Sequence, residues 1–509
     1  MGGYPSQPLV IGIDAGTTRI RVIAFDLSGR IVAAASEPTP INHPQRGWAN
    51  QDGERTWEAA VRSLRRVTVQ LDDPSRVRGL AVASVGEAGV LVDRDGHVKA
   101  PMLAWYDKRT EKELRALVDQ VGQERLTRIT GLAPDPTFSI VKLMWLLRHD
   151  PAAEGAIRWL HVADYLAWRL SREAATDMSL ASRTMALDIA AGRWSEPLLQ
   201  AAGISPDLMP PIKSTGHALG AILPAVALAT GLPADCVVGV GGHDHVLGAL
   251  AVGAVRPGVL LDSIGTAEAA TLMLDRPRLD PALGAKGYNQ GCIDTGDVCA
   301  YIFGGMPTSA ACVEWFRRLY GGNVSHGRLI DEASEAPIGA EGALFLPHLR
   351  IGSPPFPDVS ARGAWLGLNA DHGRGHLFRA VLEGMALDMA NLLAVLRQQL
   401  GHQAPERIIA IGGSTQNQLL MAIKAALYQR PIEVAETTEA TCLGAAMVGA
   451  VASGLFRGLD EARAAMGPEF RAVEPDPSWI EAYRQRLPLF AKAYKTLRSV
   501  NGEIHNFKD

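Results

Sequence analysis

A carboxylate flanked by imidazoles ends a glycine-rich apolar run near the middle of the chain, Val238-Gly239-Val240-Gly241-Gly242-His243-Asp244-His245. Two further strand-to-glycine turns bracket it, Asp14-Ala15-Gly16-Thr17-Thr18 before and Ser263-Ile264-Gly265-Thr266 after. Glycine lets backbone N–H groups come close to anionic oxygens, and threonine hydroxyls add donors. Such turns suit a polyphosphate. Asp244 is then the side chain to activate the group that receives a phosphoryl from it. Asp14 has no favourable direct contact with a phosphate and suits Mg²⁺ or its waters. Taken alone, the first turn is equally a tight hairpin with an incidental aspartate.

Other chemistry-bearing residues sit at element ends. Glu87, in Gly86-Glu87-Ala88-Gly89 after a strand predicted over 77–85, either receives the hydroxyls of a polar substrate or is a solvated loop carboxylate. Trp105, in Ala104-Trp105-Tyr106-Asp107-Lys108-Arg109, is either an apolar wall against a sugar or boundary packing. Gly412-Gly413-Ser414-Thr415-Gln416-Asn417 follows a strand over 407–411 and precedes a helix carrying Leu419, Leu420, Ile423 and Leu427. That is either a nucleotide segment at a helix N-terminus or an ordinary strand-to-helix loop.

The elements that must hold these residues begin with three strands, 9–14, 20–26 and 31–35, joined by turn chemistry as an antiparallel meander. Helices are expected over 56–71, 126–131, 138–147 and 161–170. Small residues from Gly248 to Ala254 suggest a closely packed helix and then a crossing between domains. Strands at 259–263 and 269–274 repeat the opening pattern of apolar strand, aspartate, Gly-Thr and strand. A strand entry at 341–347, a proline-rich loop to 362, a helix over 376–400 with Leu377, Val381 and Met385 on one face, and an Ala/Gly-rich helix over 440–455 follow.

At 509 residues two domains are expected, and 47% hydrophobic with 20% charged residues belongs to a globular chain with large cores. A net charge of -4 argues against nucleic acid or an anionic membrane as partner. Five cysteines without a C-x-x-C pattern suit a reducing compartment. The polar stretch Met1 to Pro8 and the short apolar run after it are neither a signal segment nor a membrane span. A soluble, cytoplasmic protein is expected.

These stretches together resemble the FGGY carbohydrate kinases, the group containing glycerol kinase, xylulokinase and fuculokinase. The similarity runs from about Val10 to Leu455. Gly363-Ala364-Trp365-Leu366-Gly367-Leu368, seven further residues, and His376-Leu377-Phe378-Arg379-Ala380-Val381-Leu382-Glu383 are similar to that family's second signature. Ser139 to Trp145 is similar to the first, departing at Thr137. The resemblance implies an α/β fold of two ribonuclease H-like, actin/Hsp70-type domains, 1–250 and 251–509, with an active-site cleft between them. It implies ATP and Mg²⁺, a sugar acceptor and often a homodimer. It assigns Asp14, Gly16, Thr17 and Thr18 to the first phosphate loop, with Asp14 near the metal, and Gly265 and Thr266 to the second. Gly412, Gly413 and Asn417 match the adenosine segment, Asp244 the catalytic base, and Glu87, Trp105, Asp244 and His245 the substrate site. Gly86 and Thr137 depart from the glycerol kinases and disfavour glycerol. His243-Asp244-His245 is more similar to fuculokinases than to xylulokinases. The expected reaction is transfer of the γ-phosphoryl of ATP to a ketose, a pentulose or 6-deoxyhexulose, with a polyol as alternative acceptor.

Two readings of other classes compete. His243-x-His245 could be a metal-hydrolase ligand pair, although no H-E-x-x-H is present and the phosphate turns would go unexplained. An ATP-driven conformational protein of the same fold would need the ATP loops but not Asp244, Glu87 and Trp105.

Overall fold

The computed structural model describes residues 7–401 and 405–507. The polar segment before Gln7 lies outside them.

Two sheets share one plan. In the first, strands β1 (Leu9–Ala15), β2 (Arg19–Asp26) and β3 (Ile31–Pro38) form the antiparallel meander. β1 then pairs in parallel with β4 (Val77–Ser84), and β4 with β6 (Val237–His243); β5 (Ala218–Ala221) closes the edge. In the second, β7 (Val259–Ile264), β8 (Glu268–Leu274) and β10 (Val298–Met306) repeat the meander, with β9 (Asn289–Asp294) beyond it. β7 pairs in parallel with β11 (Arg407–Ile411), and β11 with β12 (Ile432–Ala435). β13 (Phe470–Val473) completes that side. The central strands β1, β4 and β6 read as continuous apolar runs because helices cover both their faces.

The helices follow their caps and periodicity. Helix α1 (Gly53–Gln70) starts where the Asp52 carboxylate accepts the N–H of Arg55, three residues earlier than the apolar pattern suggests. Helices α2 (Ser139–His149) and α3 (Val162–Ser171) lie within a residue or two of expectation; the imidazole-bearing His161 ends a short strand. Asp244 opens helix α4 (Asp244–Ala251) directly from β6. Helix α5 (Arg374–Gln399) carries the second signature. Helices α6 (Gln418–Tyr428) and α7 (Ala440–Ala452) follow β11 and β12. The last helix, α8 (Pro477–Asn506), was not expected from the sequence pattern.

Much of the family signature serves the core. Arg379 on α5 bonds Glu383 at 2.9 Å and the carbonyl of Ala336 at 2.9 Å. The Glu383 carboxylate also accepts the Tyr483 hydroxyl from α8 at 2.9 Å. Trp365 packs on Phe345 with ring centroids 4.6 Å apart. The first signature instead reaches the site: Ser139 Oγ and Lys142 Nζ of α2 donate to the main-chain carbonyl of Glu87 at 3.1 and 3.2 Å.

The repeat is loose at its aspartate: Asp262 does not occupy the place of Asp14. It lies three residues before its glycine and not two, and side chains on a strand alternate faces, so its carboxylate points into the core. There it is fully buried, accepting Lys424 Nζ at 2.9 Å and the Tyr428 hydroxyl at 2.8 Å. Lys424 also contacts Glu268, whose other oxygen accepts Ser309 Oγ at 2.6 Å. This buried ionic cluster braces the two strands on either side of the Gly265-Thr266 turn.

Candidate active site

Asp244 stands at the point where β6 becomes α4, a fifth of its side chain exposed. Its Oδ1 accepts the N–H of His245 at 2.6 Å and lies 3.4 Å from His243 Nε2. Burial raises its pKa above 3.8, while the nearby His245 and its N–H oppose the rise. The same burial, reinforced by His245, holds His243 well below 6.5, so its imidazole is neutral.

The backbone entering Asp244 is anchored from below. His243 N–H donates to Ser179 Oγ at 2.9 Å, and Ser179 Oγ donates to Asp177 at 2.7 Å. Asp177 is fully buried and also accepts Leu180 N–H at 2.9 Å and Thr215 Oγ1 at 3.0 Å. Burial pushes its pKa up to about 6 against those hydrogen bonds. Sequence reasoning placed no role on Asp177 or Ser179; the Asp-x-Ser spacing at a helix start is a capping signal that could have flagged them.

Asp14 is the penultimate residue of β1 and an electrostatic neighbour of Asp244. Burial first, and the Asp244 carboxylate second, raise its pKa to about 7. Its Oδ1 is buried without any hydrogen-bond partner. A buried, unpartnered carboxylate oxygen beside a second carboxylate fits a cation, which would satisfy the orphaned oxygen and offset the repulsion. Beyond Asp14 the first turn closes by Gly16 N–H to the Arg19 carbonyl at 3.0 Å, leaving Thr18 exposed. Trp105 is 41% exposed and donates its indole N–H to Thr17 Oγ1 at 3.0 Å. Trp105 therefore adjoins the first glycine turn.

The second turn closes by Gly265 N–H to the Ala267 carbonyl at 3.0 Å, with Thr266 exposed. A cavity of about 690 Å³ opens beside it, lined by Thr266, Ala311, Glu314, Arg317, Arg318 and Arg350 among others. Its arginines are a further site feature absent from the sequence reading. Gly412 sits at φ 103°, a left-handed conformation that disfavours a side chain. A Cβ there would lie 2.5 Å from the carbonyl of Ile264, so the strand end abuts the second turn. Gly413 is exposed, and Asn417 caps α6 by accepting Leu420 N–H at 3.0 Å.

Glu87 is buried and paired. Its Oε1 accepts Arg183 Nε at 2.8 Å and Nη2 at 2.7 Å. Of its two expected alternatives, the solvated loop carboxylate is excluded by its 7% exposure. His245 is exposed, its ring 5.5 Å from that of His243. Among the described residues, one group of three His, Cys, Asp or Glu side chains has ligand geometry, Asp93, Asp95 and His97, and it includes neither His243 nor His245. No helix among the described residues is long and apolar enough to cross a membrane.

Residues 9–251 match the N-terminal domain of the FGGY family of carbohydrate kinases, and residues 261–453 match its C-terminal domain. The chain belongs to the FGGY family of carbohydrate kinases. It is 31% identical to a xylulose kinase of Escherichia coli (strain K12) over 96% of its length and 99% of that protein's. It is 29% identical to an L-fuculokinase of the same organism, over 93% of this chain and 99% of the relative. The crystal structure of a gluconate kinase from Lactobacillus acidophilus superimposes with a TM-score of 0.89 at 23% identity, covering 98% of this chain and 100% of that one. As an FGGY member with two-domain actin/Hsp70-like architecture, the chain is an ATP-dependent sugar kinase.

Proposed function

We propose that this FGGY kinase transfers the γ-phosphoryl of ATP to a hydroxyl of a ketose, a pentulose or 6-deoxyhexulose, with Asp244 as general base. The observation that carries the reading is the carboxylate pair: Asp244 at the end of β6, oriented by the His245 N–H and neighbouring the orphaned Asp14 oxygen. A hydroxyl donating to Asp244 loses its proton as the phosphoryl group leaves ADP. Burial aids this, because a carboxylate of raised pKa is a stronger proton acceptor.

Gly16, Thr17 and Thr18 on one side, and Gly265 and Thr266 on the other, receive phosphate oxygens in this reading, while Gly412, Gly413 and Asn417 border the adenosine. Asp14 would hold Mg²⁺, which when bound neutralises charge on the transferring phosphoryl oxygens. Glu87, Trp105 and His245 line the acceptor side. The two sheets, built from residues 9–243 and 259–473, support a division of the chain near residue 250. A polyol is the alternative acceptor.

Asp244→Asn keeps the shape of the side chain and removes its basicity. It should abolish sugar-dependent ADP formation while leaving ATP affinity within about twofold. Turnover at the wild-type rate would refute the assignment.

A further inference from the structure

Arg183 lies 96 positions from Glu87 in sequence, and no local motif marks it. In the fold its side chain fills the space that Gly86 leaves open. A Cβ on Gly86 would fall 2.6 Å from Arg183 Cγ and 2.6 Å from His243 Cδ2. Arg183 thus runs between the end of β4 and the imidazole that precedes Asp244. Its guanidinium lies 5.2 Å from the Phe138 ring centroid and 5.0 Å from that of Phe303. Phe138 belongs to the first half of the chain and Phe303 to β10 of the second.

Two polar atoms of this pair are left over. The Arg183 Nε hydrogen bond and the short Nη2 contact both fall on Glu87 Oε1, so Oε2 is the oxygen of this carboxylate not engaged by the guanidinium at these distances. Arg183 Nη1 is buried and has no partner. An unmade hydrogen bond on a buried charged group is unfavourable, and a bound oxygen would relieve it. Tyr301 Oη, an electrostatic neighbour of Arg183, is likewise buried and unpartnered.

The charges nearby do not add up to an anion site. The carboxylates are Asp14, Asp244 and Glu87. Arg183 is already matched by Glu87, and Arg21 near Asp14 is matched by Glu439 at 3.0 Å. Lys142 spends a donor on the Glu87 carbonyl, and burial lowers its pKa to about 7. His243 is neutral. With Glu87 matched by Arg183, a substrate carboxylate would still face Asp14 and Asp244, while Arg183, Arg21 and Lys142 each already have a partner.

We propose that Arg183 and Glu87 together select the acceptor, Glu87 Oε2 accepting one substrate hydroxyl and Arg183 Nη1 donating to a neighbouring oxygen. The pair reads adjacent uncharged oxygens, so the substrate is a neutral ketose or polyol and not an aldonate. This rests on the kinase reading above and adds Arg183 as the residue that enforces its neutral substrate class. Charged donor–acceptor pairs give such discrimination because a substrate lacking the matching oxygen leaves the buried Arg183 Nη1 unmet.

The test is a coupled ADP assay on the full chain with ketopentoses, 6-deoxyketohexoses, pentitols and aldonates, using wild type, Arg183→Met, Arg183→Lys and Glu87→Gln. Wild type should show kcat/KM at least tenfold higher for its best neutral acceptor than for any aldonate. Arg183→Met should raise the KM for that acceptor at least tenfold with the KM for ATP within twofold, and Arg183→Lys should recover part of the loss. Glu87→Gln frees the guanidinium and should raise the aldonate-to-neutral ratio at least tenfold. An aldonate as the best wild-type substrate, or an unchanged acceptor KM in Arg183→Met, overturns the proposal. The wild-type panel decides the question of charge even if a variant fails to fold. Absence of acceptor-dependent ADP formation by wild type across the whole panel would instead overturn the kinase reading beneath it.

Discussion

Ser179→Ala probes how the fold aims the proposed base. Ser179 Oγ accepts the His243 N–H at 2.9 Å and donates to the buried Asp177 carboxylate at 2.7 Å. Removing it leaves the N–H without its protein partner, costing about 1–3 kcal/mol, and deprives a charged acceptor of a bond contributing about 1.5–3 kcal/mol. His243 is half-buried, so water recovers part of this, and a total of about 2–4 kcal/mol is expected. At roughly 2–4 °C per kcal/mol for a large domain, Tm should fall by about 4–16 °C. The peptide released is the one entering Asp244. A loss of about 1.4–2.7 kcal/mol in its orientation corresponds to a tenfold to hundredfold fall in kcat. The assay is ADP release at saturating ATP and acceptor, alongside thermal unfolding, with the KM for ATP expected within twofold. A lowered Tm with kcat within twofold of wild type would refute the reasoning, since the network would then hold the fold and not the base.

Lys424→Met should be costlier for stability, by about 3–5 kcal/mol in chemical denaturation, because it strands Asp262 and Glu268 as buried carboxylates. Adding Asp262→Asn and Glu268→Gln should recover much of that loss. Asp14→Asn should raise Tm in the absence of Mg²⁺ by roughly 2–4 °C per kcal/mol of repulsion relieved, while lowering activity and raising the Mg²⁺ requirement. Asp177 binds its proton more tightly folded than unfolded, so raising the pH from 3.8 to about 6 should lower stability through this group. Asp177→Asn should flatten that stretch of the Tm–pH curve. Asp244 must be ionised to act, so kcat/KM should rise with pH along a limb lying above 3.8.

The sequence by itself determined what is local. Continuous apolar runs that break at Asp-Ala-Gly-Thr or Gly-Gly mark strands and turns within a few residues, so the first meander, strands β7 and β8, the strand into Asp244 and the Gly412 turn were legible, whereas β10 was not. Helix α8 was not, because Pro488 and scattered polar residues interrupt its apolar stripe, and packing against α5 and α6 holds it. Only the tertiary structure decided which similar motifs share an environment. A difference of one residue turns Asp262 inward to Lys424, whereas Asp14 adjoins Asp244. The surroundings of Glu87 and Asp244 were also beyond local reading. Arg183 reaches Glu87 across 96 positions, and Asp177 reaches the backbone before Asp244 through Ser179. Such contacts depend on how strands from distant segments are ordered in one sheet, and a charged residue in a polar turn carries no local sign of its partner.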